Sequence, residues 1–259
     1  MNAIRSTPRR ALPWPLASAL ALVAAACVAG AERADAATAC TARSGPAAAS
    51  VVELYTSEGC NSCPPADRWL SALRGRSDVV GLAFHVDYWD RLGWKDRFAS
   101  AAFTQRQVAQ QAVNGARFAY TPQVVVDGRD RKDWPRVQPA ASATPAAVAI
   151  ELSHDGDRAT ANVTLAAEPP QRLAAYWAIT EFGHRTAVKA GENEGVTLDH
   201  DFVVRALQPV AAWNAQRGVA QRLEFVVPAA RDGAPSRRVN LVVIDAASGR
   251  PVQALALGC

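Results

Sequence analysis

Cys60 and Cys63 stand three apart in the stretch SEGCNSCPPAD. Two intervening residues keep the sulfurs close enough to bond, so the pair can pass between dithiol and disulfide by thiolate attack. A thiol that follows a strand and opens a helix meets the partial positive charge and free N–H groups of the helix N-terminus, which favour the reactive thiolate. Cys60 is then the attacking sulfur, and Cys63 resolves the mixed disulfide. Pro64 and Pro65 follow at once. Proline pushes its predecessor out of helical φ/ψ and is itself welcome only in a helix's first turn. Cys63 is therefore expected as the N-cap, with Cys60 further from the helix end, which weakens its activation. Two other uses compete: a staple that never opens, and a metal site. Two thiolates do not complete a tetrahedral zinc site, but Cys60, Cys63 and His85 would suit Cu(I).

Other residues can border this pair. His85 and Asp87 lie two apart at the end of a strand-like run, so both face one way if the strand continues. They are candidates for proton transfer, or for a buried hydrogen-bonded pair. Glu53 is read either as a buried acid near the dithiol or as a surface residue. Tyr88, Trp89, Trp94 and Phe98 either form a recognition surface or pack a long loop over the core. The acidic turn at 191–195 fits no calcium loop, and no metal site is assigned.

The compartment bears on which use applies. Arg5, Arg9 and Arg10 precede an apolar Ala/Leu-rich run broken by Pro13 and Pro15, with small-residue cleavage patterns after it. Residues 1–36 are read as a secretory signal peptide, not a membrane span. Its removal takes away Cys27, four basic residues and two acidic ones, so the formal charge falls from +4 to +2. No basic run interleaves with aromatics, which excludes a nucleic-acid surface. Four cysteines remain, an even count that favours disulfides in an exported protein. With Cys60 and Cys63 paired, Cys40 and Cys259 are expected to bridge the two ends.

The elements that must hold these residues can be read from local pattern. Residues 51–56 and 79–86 read as strands, the second apolar almost throughout, as in a parallel strand covered on both faces. Residues 64–74 and 96–113 read as helices, and 120–128 as a third short strand. Strand, helix, strand, helix, strand implies an α/β unit. After a Pro/Ala/Ser stretch at 135–145, short strand-like runs at 148–152, 159–165, 173–180, 223–227 and 239–244 suggest an antiparallel β-sandwich. The expected organisation is a signal peptide (1–36), an α/β domain (37–140) and a β-sandwich domain (141–259).

Residues 51–128 resemble a thioredoxin fold. More narrowly, VVELYTSEGCNSCPPAD, FHVDYWDRLGWKDRFAS, YTPQVVVDG and GENEGVTLDHDFVVRAL resemble the secreted, thioredoxin-like family catalogued as domain of unknown function 1223. The resemblance implies a cis-proline at Pro122, with Thr121 beside the dithiol at a substrate groove. The resulting expectation is an α/β fold class: a thioredoxin-like domain followed by an antiparallel β-sandwich. Function is expected to be thiol–disulfide exchange through Cys60, Cys63 and Pro122, with Thr121, His85 and Asp87 lining the groove. No organic cofactor is implied. The expected partners are thiols or disulfides of exported proteins, and the location is periplasmic or secreted. The alternatives are a non-enzymatic binding or scaffold protein with a structural disulfide, or a copper-binding protein.

Overall fold

Two apolar runs set the centre of the molecule. The computed structural model describes residues 40–259 except 169, 231, 232 and 234. The expected signal peptide therefore lies outside the described residues. A short strand β1 (Cys40–Arg43) leads to β2 (Ser50–Thr56), α1 (Pro64–Ser71), β3 (Val79–His85), α2 (Ala101–Asn114), β4 (Gln123–Val126) and the two-residue β5 (Arg129–Asp130). β2 and β3 pair in parallel from Ser50↔Val79 to Thr56↔His85, and every residue of both is buried. Alternation along them feeds two layers. Leu54 and Ala83 pack with Leu70 of α1, while Tyr55, Leu82 and Phe84 pack with Phe103 of α2. Burial of each Leu or Phe among them contributes about 1.5–3 kcal/mol.

The second half continues with β6 (Val148–Asp155), β7 (Arg158–Leu165), β8 (Arg172–Glu181), β9 (His184–Ala187), β10 (Thr197–His200), β11 (Val203–Asn214), β12 (Gln221–Val226), β13 (Arg237–Asp245) and β14 (Pro251–Leu257). Here the expected fold class is corrected. The chain is not an α/β thioredoxin-like unit followed by a separate sandwich. Among the described residues it has fourteen strands against two α-helices. One eight-stranded sheet, ordered β14-β13-β8-β11-β3-β2-β4-β5, runs through both halves of the sequence. The junction is β11 against β3, parallel at Val203↔Ala83. Phe202 turns the chain there with φ 57°, and its carbonyl accepts the Ala83 N–H at 2.8 Å. A Cβ on Gly81 would come within 2.8 Å of the Phe202 ring, so glycine is what lets the two halves close. β3 is apolar up to His85 and wholly buried, with helices on its faces and β11 beside its open edge.

The second sheet, β1-β6-β7-β12, is antiparallel. Its Val148, Ile150, Leu152, Ala161 and Val163 pack against Trp177, Leu241 and Val243 of β8 and β13. β9 and β10 form a separate hairpin pair. The second helix also departs from expectation, starting at Ala101 rather than Asp96. The Ser100 hydroxyl caps it, accepting from Ala102 N–H at 3.2 Å. Asp96 spends its carboxylate on loop backbone instead. No helix among the described residues is long and apolar enough to cross a membrane.

Candidate functional site

β2 delivers the chain to a tight turn in which Cys60 N–H bonds the Ser57 carbonyl at 3.1 Å. Cys63 is the N-cap of α1, with φ −78° and ψ −38°, and Pro64 and Pro65 occupy the first two helical positions. Cys60 and Cys63 are joined as a disulfide with Cα atoms 5.4 Å apart. Both are 0% exposed, whereas Asn61 and Ser62 between them are exposed. The Thr121–Pro122 peptide is cis. Thr121 Oγ1 donates to Cys60 Sγ at 3.3 Å and itself accepts from Trp89 Nε1 at 2.8 Å. Ser62 Oγ lies 3.4 Å from the same sulfur.

A segment from the far half of the chain closes over this loop. The Asn193 side chain donates to the carbonyls of Glu58 and Cys60 at 2.8 and 3.0 Å. Glu192 accepts the Asn61 N–H at 3.2 Å. Glu58, fully buried, accepts from Trp94 Nε1 at 2.8 Å and approaches His200 Nε2 at 3.3 Å. That His200 contact lacks hydrogen-bond geometry and leaves both ring nitrogens unbonded. Burial works against ionising Glu58, but His200, Thr186 and Trp94 outweigh it and lower its pKa.

Beneath the loop, His85 Nδ1 meets Asp96 Oδ2 at 2.6 Å, both side chains wholly buried. Asp96 also accepts the N–H groups of Glu58 and Phe98 at 2.9 and 2.8 Å. Burial opposes both charges, yet mutual attraction wins: Asp96 is lowered to about 2 and His85 is raised. His85 and His200 rings lie 5.1 Å apart, edge to face, with Phe98 against both. Asp67, one turn into α1, accepts from Thr56 Oγ1 at 3.1 Å, and burial raises its pKa.

Several expected neighbours lie elsewhere. His85 and Asp87 do not act as a pair. Asp87 accepts from Thr104 Oγ1 of α2 at 2.6 Å, while His85 goes to Asp96. The chain leaves β3 after His85, so strand alternation no longer aligns the two. Glu53 is not at the surface. It sits on the α2 face, accepting from Tyr55 and Tyr176 hydroxyls at 2.6 and 2.8 Å and pairing with Arg106. Among the described residues no group of three or more His, Cys, Asp or Glu is placed to hold a metal ion. Cys40 and Cys259 are joined, Cα atoms 6.0 Å apart, with Cys259 Sγ 3.5 Å from His154 Nδ1. Glu58, Asp67, Asp96, Asn193 and His200 were not singled out by residue pattern. Asn193 lies in the acidic turn at 191–195, and the remaining pointer to it and to His200 was the length of the GENEGVTLDHDFVVRAL match.

Fold and site together define a β-rich protein with a buried cysteine pair clamped between a sheet, a helix and a distant strap. The chain belongs to the family described as protein of unknown function (DUF1223), whose model matches residues 51–244. It is similar to the crystal structure of protein AGR_C_4864 from Agrobacterium tumefaciens, with 28% identity over 82% of this chain and 95% of that one, TM-score 0.59. HBP35 of Porphyromonas gingivalis is alike in fold alone, at 14% identity over 83% and 76% of the two chains, TM-score 0.56. No curated protein matches the sequence.

Proposed function

We propose that this is an exported protein, periplasmic or secreted, that exchanges thiols and disulfides with other exported proteins. The observation that supports the reading most is the polar setting of Cys60: a hydroxyl aimed at its sulfur, in a pair that is bonded across a helix start. In the reducing direction the Cys60 thiolate attacks a substrate disulfide, forming Cys60–S–S–R and releasing R′–S⁻. Cys63 thiolate then attacks the Cys60 sulfur, releasing R–S⁻ and restoring the Cys60–Cys63 bond. Two electrons pass to the substrate, and the two dithiol protons end on its thiols. The reverse sequence oxidises a substrate dithiol. Electrons move only between sulfurs, so no organic cofactor enters. Thr121 and Pro122 flank the reacting bond.

A second reading has its own support. Both sulfurs are 0% exposed, as in a structural disulfide of a binding or scaffold protein. Glutathione equilibration with mass-resolved alkylation separates the two. A potential between about −120 and −270 mV, the span of exchange catalysts, is expected. A value below about −300 mV marks a structural bond. Exchange activity retained by Cys60→Ser ends the catalytic reading.

A further inference from the structure

Cys60 presents a problem of charge. It is wholly buried, and desolvation disfavours a thiolate. The common remedy is the free N–H groups of a helix N-terminus, and α1 lacks most of them. Pro64 and Pro65 have no N–H, and the N–H groups of Ala66 and Asp67 bond the Cys63 carbonyl at 2.9 and 3.2 Å. Asp67 adds an acid to the same first turn. A thiolate at Cys60 must find its donor elsewhere.

Two hydroxyls reach its sulfur. Ser62 is exposed, and its hydroxyl can point either way. Thr121 cannot. An indole N–H only donates, so in the 2.8 Å contact with Trp89 Nε1 the Thr121 oxygen is the acceptor. A disulfide-bonded or ionised Cys60 sulfur carries no proton and can only accept, so the Thr121 hydroxyl is the donor in the 3.3 Å contact with Cys60 Sγ. In the order Trp89→Thr121→Cys60 the indole N–H occupies one lone pair of the hydroxyl while the sulfur takes its proton, and a bond to an ionised acceptor is strengthened by such a chain. Trp89 is itself pinned. Its Cβ lies 3.3 Å from where a Cβ on Gly59 would stand, and its carbonyl accepts the Leu92 N–H at 2.9 Å.

We propose that Trp89 is a positioning residue of the dithiol: its indole N–H orients and polarises the Thr121 hydroxyl, so that this hydroxyl carries the Cys60 thiolate in place of helix N–H groups. This rests on the exchange reading, and it places Thr121 on the sulfur itself rather than in a groove. When Cys60 attacks, its electron pair forms the new S–S bond, the substrate's other sulfur leaves as thiolate, and Thr121 keeps its proton while its hydrogen bond weakens.

The test is a titration of Cys60 in a Cys63→Ser background, with Cys40–Cys259 left oxidised, followed by ultraviolet thiolate absorbance. Thr121→Val is expected to raise the midpoint by about 1–2 pH units, and Thr121→Ser to restore it. Trp89→Phe, which keeps the Cβ beside Gly59 and removes the indole N–H, is expected to raise it by a smaller amount and to add nothing on top of Thr121→Val. Glu58, Glu192, Asp67, His85, Asp96 and His200 pack around the loop, and Tyr88, whose phenol pKa is raised by burial, faces Thr121 and Trp89; all are common to every variant, so differences report the relay. An unmoved midpoint in Trp89→Phe, or full additivity with Thr121→Val, overturns the proposal. If Trp89→Phe does not fold, the indole N–H resonance of Trp89 in the unsubstituted-Trp protein serves instead. It must move with the Cys60 midpoint, and a stationary signal overturns the proposal. A protein that never exchanges with glutathione ends the exchange reading; one that exchanges with a flat variant series ends only this inference.

Discussion

The Cys40–Cys259 bond ties residues 219 apart in sequence, and the Cys60–Cys63 bond ties residues 3 apart. In the chain-entropy model, closing the long loop is worth about 5 kcal/mol and the short one about 2. Their surroundings differ in the opposite sense. Cys259 is exposed, with His154 as its polar neighbour. Cys60 and Cys63 are buried among hydroxyls, carbonyl clamps and ion pairs. The bond with most to give to stability has the plainest setting, and the bond with least to give is the one the fold surrounds with polar groups. Loop closure does not account for that polar setting, and the proposed exchange at Cys60 would.

The contrast can be broken by substitution. The largest effect is expected from Cys40→Ser with Cys259→Ser, about 5 kcal/mol lost in denaturant unfolding, against about 2 for Cys60→Ala with Cys63→Ala. The reverse order would make the short bond the structural one. Next comes the ion pair under the dithiol loop. Asp96→Asn leaves buried His85 without its counter-charge and is expected to cost about 3–5 kcal/mol. The same pair sets a pH window. His85 is raised and Asp96 is lowered to about 2. Its stabilisation is therefore fully present between about 3.9 and about 6.5, the unfolded values. It fades as pH rises through the raised His85 value and as pH falls towards about 2. Melting temperature against pH should show that plateau, and Asp96→Asn should flatten it. Smallest is Asn193→Ala, expected to cost about 1–3 kcal/mol by leaving two carbonyls unpaired. It should also speed reduction of Cys60–Cys63 by a small phosphine. An unchanged rate would show that the strap does not limit access.

How much of this was legible in the sequence followed the range of the interactions. β2 and β3 read correctly because their apolar runs reflect local burial on both faces. The cysteine pair and its proline-capped helix are contiguous and read directly. The start of α2 misled because an acid ahead of an apolar run looks like a first turn, and Asp96 is instead held by His85 and loop N–H groups. β11 was missed because QPVAAWN, with Pro209 and two alanines, lacks strand texture; its place comes from pairing with β8. The joining of the halves rests on Val203 beside Ala83, a contact between residues 120 apart that no local period encodes. Asn193 and His200 reach the dithiol loop across comparable distances, so residue spacing gave no sign of them.

Because Cys40 and Cys259 meet with Cα atoms 6.0 Å apart, the segment between them is a closed covalent ring. A ring has no privileged first residue. A short peptide linker in place of that bond would let the backbone be reopened at an exposed hairpin tip such as Gly156, between β6 and β7, a circular permutation of the kind that adjacent ends permit. The order in which the strands are synthesised is thereby separable from the architecture they build.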